Sequence, residues 1–231
     1  MSSLAGKSIC EESAAQSALA QFERTVNKAV EAFPSSSLLR RLQLGTLQMS
    51  DYHLILTTLF HQTYSSPYTF ARAAVNCSWH HEAAKEFLLR HADEERTHWR
   101  WILNDLDATG YRGTPPRSLP PHHSAQAFIG LNYFLAEECP VSRLAVACVV
   151  EGIGAKYGSV YGGKLLAALN LDKSQASFFI SHGQTDIQHT AELRSLVESL
   201  SLSANEWQWM HHAAEVAGRF YRGMYEHDSH A

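Results

Sequence analysis

The sequence is short of charge. Asp, Glu, Lys and Arg make up 18% of its 231 residues, against about 25% in an ordinary soluble chain. With so little charged surface, the 45% of residues that are hydrophobic have to pack apolar faces against one another. Long apolar runs are missing as well, and none reaches the ~18 residues of a membrane span. The net charge of −4 comes with no basic stripe, which argues against nucleic acid as a partner. Met1 to Glu12 is polar and lacks the apolar stretch of a secretory leader. Cys10, Cys77, Cys139 and Cys148 form no CxxC pair and no disulfide framework. A reducing cytoplasm is the expected setting, and Cys148, inside an apolar run, reads as a core residue.

Strand punctuation is also absent, whereas helix signals are frequent. The predicted class is all-α, as a single domain over 1–231 with about seven to eight helices. The spans read as roughly 11–33, 37–44, 51–76, 80–108, 124–138, 140–169, 174–200 and 203–226. Ser50, Ser124, Ser174 and Ser203 stand at N-cap positions, the last with Glu206 at the capping-box position. Pro140 stands near a first helical position, and Gly110 marks a helix end. The Pro-rich stretch Tyr111 to His123 is the longest loop. It is not read as a domain boundary, because the polar clusters on its two sides make sense only if they meet.

What the chain does have in excess is histidine, with 14 residues. The pairs His80–His81, His122–His123 and His211–His212, and the terminal His227 and His230, read as solvated. Two other clusters stand at helical spacing. In RHADEERTHWRWILND, residues 90–105, His91, Glu94 or Glu95, and His98 share one helix face. In SHGQTDIQHT, residues 181–190, His182, Asp186 and His189 stand at i, i+4 and i+7, within one narrow arc. Taken alone, the first cluster reads first as a charged, solvated face, and the second is as compatible with a simple Asp186–His hydrogen bond as with a metal. The third piece is a single residue. Glu151 interrupts LAVACVVEGIGAKYG, residues 144–158, which is otherwise apolar or small. A carboxylate there costs several kcal/mol unless it is paired or coordinated. Three helices thus offer Glu95, His98, Glu151, His182, Asp186 and His189, an oxygen-and-nitrogen set that suits iron or manganese. The competing reading is a helical binding or dimerisation module in which Glu151 pairs with Lys156 or Arg143.

These features resemble the haem-oxygenase-like superfamily, and within it the di-iron oxidases also called iron-containing redox enzymes. The resemblance rests on Glu95-x-x-His98 followed by WILNDL, the lone Glu151, the His182-x3-Asp186-x2-His189 triplet and the helix order, over roughly residues 40 to 200. It implies a haem-oxygenase-like helical bundle. It also implies two irons held by those six residues, and a small amino-acid- or fatty-acid-like substrate oxidised with dioxygen. Where some members carry further acidic ligands this chain has His61 and His91, so one iron site is more complete than the other. His61, His91, Tyr64 and Tyr157 are the candidates for substrate pocket or alternative ligands. Relatives in the superfamily supply other chemistries. Haem oxygenases take a proximal histidine from their first helix, and this chain has none before His53, so no haem is expected. Thiaminase-like members use a nucleophilic cysteine, for which Cys139 and Cys148 are the candidates. Cofactorless members use His, Arg and Tyr, a role open to His91, Arg72 and Tyr157. The last helix carries Trp207, Trp209, Tyr221 and Tyr225, which suit either a homodimer interface or closure of the core.

Overall fold

The computed structural model describes residues 2–226, with side chains from residue 16 onward except that of Gln184. His227, His230 and the side chain of Cys10 therefore lie outside the described residues. Nine α-helices and no strand occur among them. They are α1 Ser2–Ala32, α2 Ser37–Gln43, α3 Met49–Asn76, α4 Glu82–Glu95, α5 Trp99–Ala108, α6 His123–Glu138, α7 Arg143–Leu169, α8 Ser177–Ser199 and α9 Ala204–Gly223. None is long and apolar enough to cross a membrane.

The extra helix comes from a break in the segment expected to run unbroken over 80–108. At Arg96–His98 the backbone tightens to three-residue hydrogen bonds, Arg96 N to Asp93 O at 3.4 Å and His98 N to Glu95 O at 3.2 Å. The Trp99 indole N–H donates to the freed Arg96 carbonyl at 3.1 Å, so the broken turn keeps a partner. Three caps also differ from expectation. Gln48, in a reciprocal capping box with Asp51, starts α3 in place of Ser50. His122 precedes α6 in place of Ser124, and Asp172 caps the short turn before α8 in place of Ser174. Ser203 and Glu206 form the expected box at α9. Gly110 ends α5 with φ +72°, which a residue with a Cβ adopts only under strain. His81, expected in solvent, is buried and bonds Glu206 at 2.6 Å.

Helix α7 is apolar almost all round, and it packs against α1, α2, α3, α6, α8 and α9. Its widest contact is with α8. There the backbones meet at Gly158 and Gly183, where a Cβ on Gly158 would sit 2.7 Å from the Gly183 Cα. The core includes fully buried Tyr52, Phe60, Phe128, Leu144 and Met210. Each such side chain contributes about 1.5–3 kcal/mol. Trp207, Tyr221 and Tyr225 of the last segment are buried too, so they close the core. Asp105 of α5 fixes the start of α8. Its carboxylate accepts from Ser177 N at 2.9 Å, Ser177 Oγ at 2.6 Å and Phe178 N at 2.9 Å. A negative charge on the unsatisfied N–H groups of a helix start is favourable twice over, through hydrogen bonds and through the helix dipole.

The glycine contact is testable with a built-in control. Gly158→Ala forces a methyl group into the α8 backbone and should destabilise the protein by about 2 kcal/mol or more. Gly163, on the same helix, has open space around it, and Gly163→Ala should be neutral or stabilising by about 0.5–1 kcal/mol. Urea denaturation of the two variants measures the difference. Equal stabilities would contradict the close approach.

Candidate metal centre

Three helices and one turn deliver the site. His91 and Glu95 lie one turn apart on α4, with Glu95 its last residue. His98 follows in the broken turn, Glu151 comes from the middle of α7, and His182 and His189 come from α8. Donor atoms of His91, Glu95, Glu151 and His189 all lie within 4.8 Å of one another, and so do those of Glu95, His98 and His182. Glu95 belongs to both groups. The break before α5 is what allows this. It brings His98 Nδ1 to 2.9 Å from Glu95 Oε1.

His189 Nδ1 meets Glu151 Oε2 at 3.3 Å, but other donor atoms crowd together without pairing. His91 Nε2 is 3.3 Å from Glu151 Oε1, yet neither His91 nitrogen makes a hydrogen bond, and neither does His98 Nδ1. Buried polar atoms without partners are rare and call for a reason. Atoms that face a common point and not one another are what a shared cation requires. His182 is oriented differently. Its Nδ1 lies 3.1 Å from the Phe178 carbonyl, so Nδ1–H is the donor and Nε2 is left to face Glu95 Oε2 at 3.9 Å. A backbone carbonyl on the second ring nitrogen is the usual support of a metal-binding histidine. Trp101 stacks on the His98 ring at 4.2 Å and meets the His182 ring edge-on at 5.3 Å.

Electrostatics hold the carboxylates ionised. Burial pushes Glu151 up, but the His189 and His91 imidazoles outweigh it and bring its carboxyl down to about 2. Burial likewise raises Glu95, and His182 and His98 more than reverse it, leaving the carboxyl well below the usual range. The partners respond. The hydrogen bond to Glu151 is the main cause that raises His189. Burial alone would lower His182, but Glu95 raises it. Asp186 behaves in the opposite way. Burial first, then the charge of Glu151, pushes its carboxyl up to about 11, which makes it a neutral acid. It joins neither group of converging donors. It fits where it does because residue 154 is glycine: a Cβ there would lie 1.6 Å from Asp186 Oδ2.

A cavity of about 80 Å³ adjoins the centre. Glu95, Glu151, His182 and Asp186 border it, with Tyr157 and Arg143, and its walls are aromatic. Two expected pocket residues are elsewhere. His61 and Tyr64 pack with Phe60, and Tyr64 also with Trp99, and neither lines the cavity. His91, expected as pocket residue or alternative ligand, stands among the converging donors. Its spacing of four and seven from Glu95 and His98 was the available signal. Arg72 pairs with Glu137 at 2.5 Å on the surface, away from the cavity. Lys156 pairs with Glu31 at 3.6 Å, not with Glu151.

Comparison with known proteins agrees with the geometry. The family profile described as "Iron-containing redox enzyme" matches residues 55–219. No curated protein sequence matches the chain. A domain of unknown function with a haem oxygenase-like fold from Shewanella denitrificans OS217 is 19% identical, with a TM-score of 0.81 and 90% of each chain covered. Haem oxygenase from Leptospira interrogans is 17% identical with a TM-score of 0.70, covering 90% of this chain and 98% of that one. A TenA homologue from P. horikoshii OT3 is 11% identical with a TM-score of 0.72, covering 90% and 96%. At these identities the structures establish the haem-oxygenase-like fold.

Protons and a metal compete for the same imidazoles, which predicts a pH dependence. His182 and His189 take protons above the ordinary value of 6.5. Metal affinity should therefore begin to fall above that pH as the solution is acidified, by about tenfold per pH unit for each proton displaced. Competition against a chelator across the neutral range measures it. A pH-independent affinity would mean that these histidines do not bind.

Proposed function

Because the chain belongs to the family of iron-containing redox enzymes, we propose that it is a non-haem iron oxidoreductase that uses dioxygen on a small organic substrate. The observation that carries this reading is the shared position of Glu95 between two sets of buried donors. His91, Glu95, Glu151 and His189 would hold one ion, and Glu95, His98 and His182 the other. Manganese suits the same donor set. When bound, the metal supplies the electrons that reduce dioxygen and the oxidising power that acts on the substrate.

The chain's own residues do the rest. The Phe178 carbonyl keeps His182 in one tautomer, and Trp101 packs against both rings of the second set. The aromatic walls hold water away from the reacting end of the substrate and select it by shape. Asp186 stands beside Glu151 within the cavity wall. The thiaminase-like alternative finds less support. Burial pushes the Cys148 thiol up to about 12 and raises Cys139 as well, whereas a nucleophilic cysteine needs a lowered value.

The two sets make different predictions for different variants. Protein loaded anaerobically should hold about two equivalents of iron and develop a new absorption on exposure to oxygen. His98→Ala should retain about one equivalent, and Glu95→Ala should lose both. Metal analysis by mass spectrometry reads the stoichiometry. Glu95→Ala with the iron content of the wild type would sink the proposal.

A further inference from the structure

Arg143 is the buried charged group that the metal centre does not use. It is 3% exposed, at the start of α7, and it lines the cavity beside the carboxylates. Its Nε reaches Thr69 Oγ1 at 3.4 Å and its guanidinium lies over the Phe70 ring at 3.7 Å, but its Nη1 has no partner. Among the described residues no carboxylate comes within the 4.0 Å of an ion pair. Asn132 Oδ1 also lacks a partner and borders a small gap that Arg143 borders too. It is a neutral carbonyl, however, and does not balance a guanidinium charge. A buried cation without a counter-ion is costly, and one edge of it is left to donate.

We infer that Arg143 forms an anion subsite in the cavity and that the substrate is a small carboxylate whose oxygens pair with its guanidinium. This rests on the proposed metal-dependent reaction for its role, but on Arg143 alone for its chemistry. A guanidinium edge matches the planar carboxylate in geometry. The aromatic walls suit a short apolar tail, and the volume bounds its length. An engineered cavity of about 150 Å³ takes the six heavy atoms of a benzene ring, and this one is about 80 Å³, so the acid has fewer heavy atoms than benzene. The subsite is coupled to the metal centre. Burial lowers Arg143 below the ordinary arginine value, and Glu151 and Glu95 offset part of that through space. Once a cation takes up those two carboxylates, Arg143 loses their compensation, and an incoming anion restores it. Metal loading therefore tightens anion binding, and the anion tightens metal binding by the same factor.

Calorimetric titration with propanoate and with its neutral counterpart propanamide tests this, in metal-free and zinc-loaded protein. Propanoate should bind at least about tenfold more tightly than propanamide, and more tightly with zinc than without. Arg143→Gln should weaken propanoate by about tenfold or more while zinc is retained, and Arg143→Lys should weaken it less. Equal binding of propanoate and propanamide would overturn the inference. So would undiminished propanoate binding in Arg143→Gln, which would mean that the acid simply coordinates the metal. Should Arg143→Gln fail to fold, the wild-type comparison of acid with amide still decides. A protein that takes up no zinc but discriminates acid from amide through Arg143 would refute the metal reading and keep the subsite. A protein that binds zinc without discriminating would do the reverse.

Discussion

Glu95 is buried among His91, His98 and His182, with Glu151 close behind it, and most of the structure can be understood as the means of tolerating that. Two carboxylates in an apolar interior repel each other and forgo their hydration. They remain ionised because imidazoles surround them. Those imidazoles come from separate helices, so the centre depends on how closely α4, α7 and α8 approach. The approach is set by small features. Gly158 and Gly183 let α7 and α8 touch backbone to backbone, and Asp105 pins the first turn of α8. The turn at Arg96–His98 folds His98 back toward Glu95.

Much of this was legible in the sequence. Glu151 in its apolar run announced a buried site, and the spacings around Glu95 and along His182 to His189 announced which faces meet it. What was not legible followed from tertiary geometry. An unbroken periodic pattern over 80–108 gave no sign that the helix breaks, because Arg96, Thr97 and His98 are all tolerated in helices. Only the Trp99 indole and the close approach of His98 to Glu95 make the break evident. His91 has the right spacing for a ligand, but the sequence could not show which side of α4 meets α8. His61 and Tyr64 fall on the side of α3 away from the cavity residues Thr63, Ser66 and Phe70, and they pack toward Phe60 and Trp99. Asp186 has ideal spacing within its triplet, and the small residue at Gly154 lets it sit beside Glu151 as a neutral acid.

The ligand set and the cavity divide the chemistry between them. Histidines with unpartnered nitrogens point to a cation, whereas Arg143, with its own unpartnered nitrogen, points to an anion. Arg143 borders one small aromatic chamber together with Glu95, Glu151 and His182 of the donor groups, in a fold that the family and its structural relatives share. A bound metal would engage the unpartnered imidazole nitrogens, and a bound acid the unpartnered edge of Arg143.

The central claim is that Glu95 is shared by two metal ions. Diffraction from iron-loaded crystals, recorded on both sides of the iron absorption edge, tests it directly. The account predicts two anomalous peaks, one beside His91, Glu151 and His189 and one beside His98 and His182, with the Glu95 carboxylate in contact with both. A single peak, or peaks that leave Glu95 without a metal neighbour, would contradict it.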